Sequence, residues 1–503
     1  MAIVTTVQTT QVTLADGDDL FVSRNGGIYT FTYAISASLN NIIEIAGEVV
    51  SEVNGALYAT GGANQITVHS TGIVSDISGI GIFMDSPTAG GNTLVNYGAV
   101  SGGHAAFWDY SGGDTIINHG IISSTGTALV LGGGAGAGHT VRNAGTIVGG
   151  NYAIGSSGGD DLVVNTGTLN GAVSLSSGND TLDSGSGDVF GIVNGQGGDD
   201  RLLLGRTDDT LDGGEGADEL VGGGGYDYAS YASAFGAGVT AYLVAPRLNT
   251  GDAFGDAYDG IEGLIGSRYA DVLGGDNSAN VIRGGEGADT MRGYGSDDRF
   301  FVDVATDVVI EAANGGFDRV FAGATYTLAA AAEVEVVSTL GTATTTVVSL
   351  TGNGFDNVMM GNAAGNQLSG LAGADNINGY AGNDRIYGGL GLDTMTGGAG
   401  LDNFYFDTAL NATSNVDRIL DFSHADDTIR LSQTVFTTLL TGVLSADAYR
   451  AGAAAADATD RIIYNKATGA LFYDRDGAGG AAQIQFAWLP KDLVLSGGDF
   501  IVY

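Results

Sequence analysis

"GGEGADTMRG" spans residues 284–293, and a near copy, "GGEGADELVG", spans 213–222. A third version, "GGLGLDTMTG" at 388–397, runs directly into "GGAGLDNFYF" at 397–406. Three glycines and an aspartate return every nine residues, and two places after the aspartate stands an apolar residue: Leu220, Met291, Ile386, Met395 or Phe404. Glycines permit a turn with positive φ and a close approach of backbone carbonyls. The apolar residue then points inward from a very short strand, so two nine-residue units make one coil.

Followed outward, the aspartate position gives Asp200, Asp209, Asp218 and Asp227, then Asp271, Asn280, Asp289 and Asp298, then Asp356, Asn366, Asp375, Asp384, Asp393 and Asp402. One interval is ten residues and the rest within each block are nine. Before residue 177 the period is longer. A glycine recurs as Gly47, Gly72, Gly98, Gly120, Gly145 and Gly167, at intervals of 25, 26, 22, 25 and 22. Each unit holds three short strand-like runs, as in "NTLVNYG", "GAVSG" and "HAAFWDY", bounded by Gly, Ser or Asn, and three strands in such a length make one coil of a parallel β-helix.

Asn96, Asn118, Asn143 and Asn165 each stand two residues before a repeat glycine and should stack as an amide file at a turn. His69, His104, His119 and His139 share no phase, which argues against a histidine metal site. Aligning "NGALY", "GIGIF", "HAAFW", "GTALV", "NYAIG" and "NGAVS" puts Leu57, Ile82, Phe107, Leu129, Ile154 and Val173 at a fourth position that is always apolar. The fifth then points outward and reads Tyr58, Phe83, Trp108, Val130, Gly155 and Ser174. Such an exposed stripe marks an interaction surface, and Tyr58, Phe83, Trp108 and Val130 are the expected assembly face.

The chain has 503 residues with 87 Gly, a net charge of -39 and no cysteine. Only two lysines occur, Lys466 and Lys491, so no nucleic-acid partner is expected. No apolar run is long enough for a membrane span, and the start, "MAIVTTVQTTQVTLADGDD", has no secretory h-region. Without cysteine, disulfides and thiolate metal sites are excluded. Such acidity suits a hard divalent cation.

The frame G-G-x-G-x-D-x-U-x is that of the calcium-binding parallel β-roll. Calcium takes six to eight oxygens and accepts carbonyls as readily as carboxylates. The expected metal ligands are Asp200, Asp209, Asp218, Asp227, Asp271, Asp289, Asp298, Asp356, Asp375, Asp384, Asp393 and Asp402, holding multiple Ca2+ ions. Tenfold excess over the dissociation constant contributes about 1.4 kcal/mol per site. Roughly ten sites would then match the whole stability of a domain, about 5 to 15 kcal/mol, so calcium should act as a folding switch.

These nonapeptides resemble those of the RTX, or repeats-in-toxin, proteins of Gram-negative bacteria. "YDYASYASAFGAGVTAYL" is similar to a linker between β-roll blocks of that family, and "NVDRILDFSHADDTIRL" with "DRIIYNKATGALFYDRDG" is similar to its serralysin-type C-terminal region. The resemblance implies export by type I secretion machinery through an uncleaved signal, here Asp499, Phe500, Ile501, Val502 and Tyr503. It also implies an extracellular or cell-surface location.

The expected fold is all-β. It begins with a parallel β-helix over 1–176 and β-roll blocks with an inserted β linker over 177–302. A β-rich linker follows over 303–350, then a β-roll over 351–406 and a β-rich cap with the secretion signal over 407–503. An enzyme is not expected. No His-Glu pair exists, "GSSGG" at 155–159 lies in a Gly- and Ser-rich tract, and Arg24 and Arg142 are the only cations before residue 200. The expected function is a calcium-dependent structural surface protein that assembles with copies of itself, as an S-layer-like lattice or filament. The alternatives are an adhesin or matrix protein gripping cell-surface polysaccharide and a secreted polysaccharide-modifying enzyme.

Overall fold

A computed structural model describes residues 1–85, 91–110, 112–133 and 137–503. The chain forms two compact units, Met1–Ser267 and Arg268–Tyr503. Both are built of short strands stacked in parallel coils, an all-β solenoid, as the sequence predicts. Among the described residues no helix is long and apolar enough to cross a membrane.

In the first unit one parallel sheet collects the first strand of successive coils, from Ala2–Val4 through Ile42–Ile45, Thr93–Asn96 and Leu162–Asn165 to Ala257–Asp259. Each coil then adds a second and a third strand, for example Ala99–Gly102 and Ala105–Asp109, which merge into one long strand in the coils of Thr146–Ser156 and Thr168–Ser174. The strand Thr168–Ser174 then pairs with both Asp188–Phe190 and Ile192–Gly197, and from Arg201–Leu203 on the coils have two strands. The expected change of repeat near 177 is thus a change of coil size inside one continuous stack.

The repeat glycines are required by packing between coils. A methyl group at Gly98, Gly120, Gly145 or Gly167 would strike the carbonyl of the repeat glycine one coil earlier. Beside them the amide file forms as expected. Asn96 Nδ2 donates to Asn118 Oδ1 at 2.8 Å, Asn118 to Asn143 at 2.7 Å and Asn143 to Asn165 at 2.8 Å. These buried groups are satisfied by one another and by turn backbone, which removes the cost of hiding them.

Strand alternation sets the core. Leu57, Ile82, Phe107, Leu129, Ile154 and Val173 are all buried and stand opposite one another coil by coil. Side chains of this kind contribute about 1.5 to 3 kcal/mol each on burial. Their neighbours Tyr58, Phe83, Trp108 and Val130 share a register and are half-buried on the outside. Tyr58 stacks on Phe83 at 5.3 Å and Phe83 meets Trp108 at 6.4 Å. Tyr33, not part of the expected row, extends it by stacking on Tyr58 at 4.7 Å.

The second unit is built in the same way, with Met291, Phe300, Ile377, Ile386, Met395 and Phe404 fully buried from strands of three to six residues. Coiling continues through 303–350, where nonapeptides are absent: Arg319–Ala322 pairs in parallel with Arg299–Val302 and Val336–Thr339. Parallel pairing runs on through Asp417–Ile419 and Thr428–Leu431, and beyond them Ile462–Asn465, Ala470–Tyr473 and Ile484–Trp488 pair antiparallel. The terminal strand Phe500–Val502 lies between Thr428–Leu431 and Gly442–Val443, with Phe500 and Val502 buried. Asp499 is buried too, accepting the Ser496 N–H, whereas Tyr503 is exposed. The segment expected to serve as an export signal is therefore an internal strand of the folded protein.

Candidate metal centres

Each nonapeptide turn places its aspartate at a corner where the chain enters a strand. In block after block one oxygen of that carboxylate accepts the backbone N–H of the residue eighteen positions earlier. Asp218 Oδ1 accepts from Asp200 at 2.8 Å, Asp227 from Asp209 at 2.8 Å, Asp289 from Asp271 at 2.8 Å and Asp402 from Asp384 at 2.9 Å. The other oxygen behaves differently. In Asp200, Asp218, Asp227, Asp289, Asp298, Asp375, Asp384, Asp393 and Asp402, Oδ2 is buried with no hydrogen-bond partner.

What the free oxygen faces is set by glycine. A methyl group at Gly195 would collide with Asp200 Oδ2 and lie 2.6 Å from the Gly213 carbonyl oxygen. The same holds at Gly370, against Asp375 Oδ2 and the Gly388 carbonyl, and at Gly379, against Asp384 Oδ2 and the Gly397 carbonyl. The second glycine of the turn has positive φ, +95° at Gly214 and +98° at Gly398, a conformation that L side chains avoid. Carboxylate and carbonyl oxygens thus converge on one small space with no donor. A row of buried, unpartnered acceptors is strongly unfavourable unless a cation completes it, and an all-oxygen cage of carbonyls and carboxylates suits calcium.

The electrostatics agree. Burial, and after it neighbouring aspartates, pushes these carboxyls up from 3.8: Asp200 to about 8, and Asp218, Asp289, Asp298, Asp375 and Asp384 to about 7. Their backbone hydrogen bonds pull the other way and are outweighed. Asp227, Asp393 and Asp402 are raised for the same first reason. Without an ion these groups take up protons more readily in the fold than free carboxyls do.

Not every expected ligand sits alike. Asp209 is buried, but Thr207 Oγ1 donates to it at 3.2 and 3.3 Å, and burial raises it only to about 6. Asp271 is buried at the same kind of corner. Asp356 is a correction: it is exposed and its Oδ1 accepts the Ala374 N–H at 2.7 Å. The corner belongs to Asn357, whose N–H donates to Asp375 Oδ1 at 2.8 Å. Asp356 joins an outer file with Asp199, Asp208 and Asp297, each of which caps a backbone N–H one coil on.

Sequence reading missed that the corner file begins long before the nonapeptides. Asn41, Asn64 and Asn92 occupy it, then Asp114, His139, Asp161 and Asp180, and each N–H from Asn41, Asn64, Asn92, His139, Asp161 and Asp180 donates to the side chain of the next coil at 2.6 to 3.1 Å. Asp161 and Asp180 also carry buried Oδ2 atoms without a hydrogen-bond partner, ahead of the first aspartate of the nine-residue series. The signal was present: every one of these residues stands two places before a buried apolar residue, such as Ile66, Leu94, Val163 or Leu182.

The family profile for the RTX calcium-binding nonapeptide repeat (4 copies) matches residues 174–190, 194–229, 274–309, 351–384 and 369–404. No curated protein sequence matches the chain. Among solved structures, the solution structure of the AlgE6R3 subunit from the Azotobacter vinelandii mannuronan C5-epimerase is similar over 29% of this chain and 78% of that one, at 27% identity and a TM-score of 0.22. The chain thus carries RTX calcium-binding nonapeptide repeats, and the buried carboxylate corners lie at the aspartates of those repeats.

Proposed function

We propose that this is a secreted, calcium-folded structural protein of the cell surface that assembles with copies of itself through the aromatic stripe of its N-terminal coils. The observation that carries the reading is the aromatic row of Tyr33, Tyr58, Phe83 and Trp108, in which Tyr33 stacks on Tyr58, Tyr58 on Phe83, and Phe83 meets Trp108 edge-on, all partly open to solvent. Calcium supports the same reading. At a formal charge of -39 copies repel one another, and each bound ion removes two units of that charge.

Export fits the ion dependence. Asp499 to Tyr503 can reach a type I transporter only while the chain is unfolded, because Phe500 and Val502 are buried in the fold. Low calcium inside the cell would keep that strand free, and calcium outside would fold it away. No catalytic role is part of this reading.

A second reading, glycan adhesion, is favoured by a groove of about 360 Å³ along the corner between the second and third strands. Ser75, Ser101, Ser123, Ser124 and Thr125 line it with hydroxyls. Phe83→Ser combined with Trp108→Ser, in calcium, decides between the two. Loss of ordered assembly under electron microscopy, with the β circular dichroism intact, supports self-assembly. Assembly by the double variant like the parent contradicts it, and no assembly by either, with polysaccharide retention lost in the variant, favours adhesion.

A further inference from the structure

For Asp200, Asp375 and Asp384 the position thirteen residues later is a glycine whose carbonyl faces the cage: Gly213, Gly388 and Gly397. After Asp298 that position is Glu311. It follows the strand Val308–Ile310, which pairs in register with Thr290–Arg292, so Glu311 stands beside Gly293 one coil away. The Gly293 N–H donates to Glu311 Oε1 at 2.8 Å. The next turn brings in Asp318, whose Oδ1 accepts the Asp298 N–H at 2.9 Å.

Carboxylate oxygens of Asp298, Glu311 and Asp318 lie within 4.8 Å of one another. The three residues are 0%, 5% and 0% exposed. Asp298 Oδ2, Glu311 Oε2 and Asp318 Oδ2 are all buried and without a hydrogen-bond partner. Among the described residues no lysine or arginine forms an ion pair with any of them. Glu311 and Asp318 both lie beyond the repeat match that ends at residue 309.

Three buried carboxylates facing one another with no internal cation are strongly unfavourable unless an external one is held. We propose that Asp298, Glu311 and Asp318 form a tri-carboxylate version of the cage, which fills with calcium before the cages that offer a glycine carbonyl in place of Glu311. Calcium affinity rises with the number of charged ligands. Here a side-chain carboxylate enters at a position where the nonapeptide coils offer a carbonyl. The site fastens the turn of residues 311–318, where nonapeptide spacing lapses, to the block before it. This rests on the repeats taking calcium, and the experiment separates the two claims.

Full-length protein stripped by a chelator is titrated with calcium by equilibrium dialysis. The parent should bind one ion about tenfold or more tightly than the others. Glu311→Gln, which keeps the acceptor for Gly293, should lose that ion and keep the rest, while Glu286→Gln, removing an exposed carboxylate of the same block, should change nothing. Equal titration of Glu311→Gln and the parent overturns the site, as does equal loss in Glu286→Gln. Crystals of the parent soaked in terbium give a test independent of folding in the variants. Anomalous density among the three carboxylates supports the site, and its absence while nonapeptide cages are filled overturns it. A parent that binds no calcium at all contradicts the repeats' own role first.

Discussion

The three-stranded coils near the N-terminus and the nonapeptide coils build the same kind of corner ladder and satisfy it by different chemistry. In both, a corner side chain accepts the N–H of its counterpart in the preceding coil: Asn92 Oδ1 from Asn64 at 3.1 Å, Asp218 Oδ1 from Asp200 at 2.8 Å. An asparagine amide can also donate, as Asn64 Nδ2 does to the Gly61 carbonyl at 3.1 Å. An ionised aspartate cannot, so its Oδ2 is left without a donor. The same contrast recurs inside the second unit, where Asn357 Nδ2 and Asn366 Nδ2 donate to the carbonyls of Val334 and Val348, both at 2.8 Å. Amide and carboxylate are therefore alternative fillings of one corner, and stability is expected to be self-contained where the file is amide and to depend on calcium where it is carboxylate.

The largest effect expected from this difference is on removing calcium. Chelation at neutral pH should abolish most of the β circular dichroism contributed by residues 177–431 and leave that of the amide-filled coils, because a solenoid couples only neighbouring repeats. An unchanged spectrum after complete chelation would mean that the cages need no ion.

Acid should partly replace the ion. In the ion-free fold the cage carboxyls are raised to about 7 or 8 from 3.8, so they contribute stability below 3.8 that is lost as pH rises through those folded values. Chelated protein brought from pH 8 to pH 5.5 should regain β signal, and a further loss on acidification would reverse the sign of this argument.

At the scale of single cages, replacing Asp384 and Asp393 by alanine should raise the calcium midpoint of folding, and asparagine at both positions should raise it less, since the amide supplies its own donor. Equal midpoints for the two pairs would remove the equivalence of amide and ion. The smallest effect belongs to the other side of the comparison. Asn118→Ala breaks a buried amide file and should cost about 1 to 3 kcal/mol in urea unfolding of the N-terminal coils while leaving the calcium midpoint where it was.

Much of this was legible in the sequence because coil geometry repeats. The fourth-position core residues Leu57 to Val173 and their outward neighbours Tyr58, Phe83 and Trp108 follow from strand alternation alone, and all fall where expected. The nine-residue frame located the cages for the same reason. Asp356 was misplaced because an aspartate and an asparagine are adjacent in "FDNV", and the count back from Asp375 falls on the amide. The corner file from Asn41 to Asp180 stayed hidden because loops of different length separate its members and because Asn, Asp and His all fill it. Glu311 could not be read from the sequence, since only the coil register brings it beside Gly293.

Amide hydrogen exchange with and without calcium, resolved by peptide, tests the central claim most directly. Residues 200–221 and 281–406 should lose protection by orders of magnitude on chelation, while 65–118 keep theirs. Equal loss in both regions, or protection of both without calcium, would contradict the account.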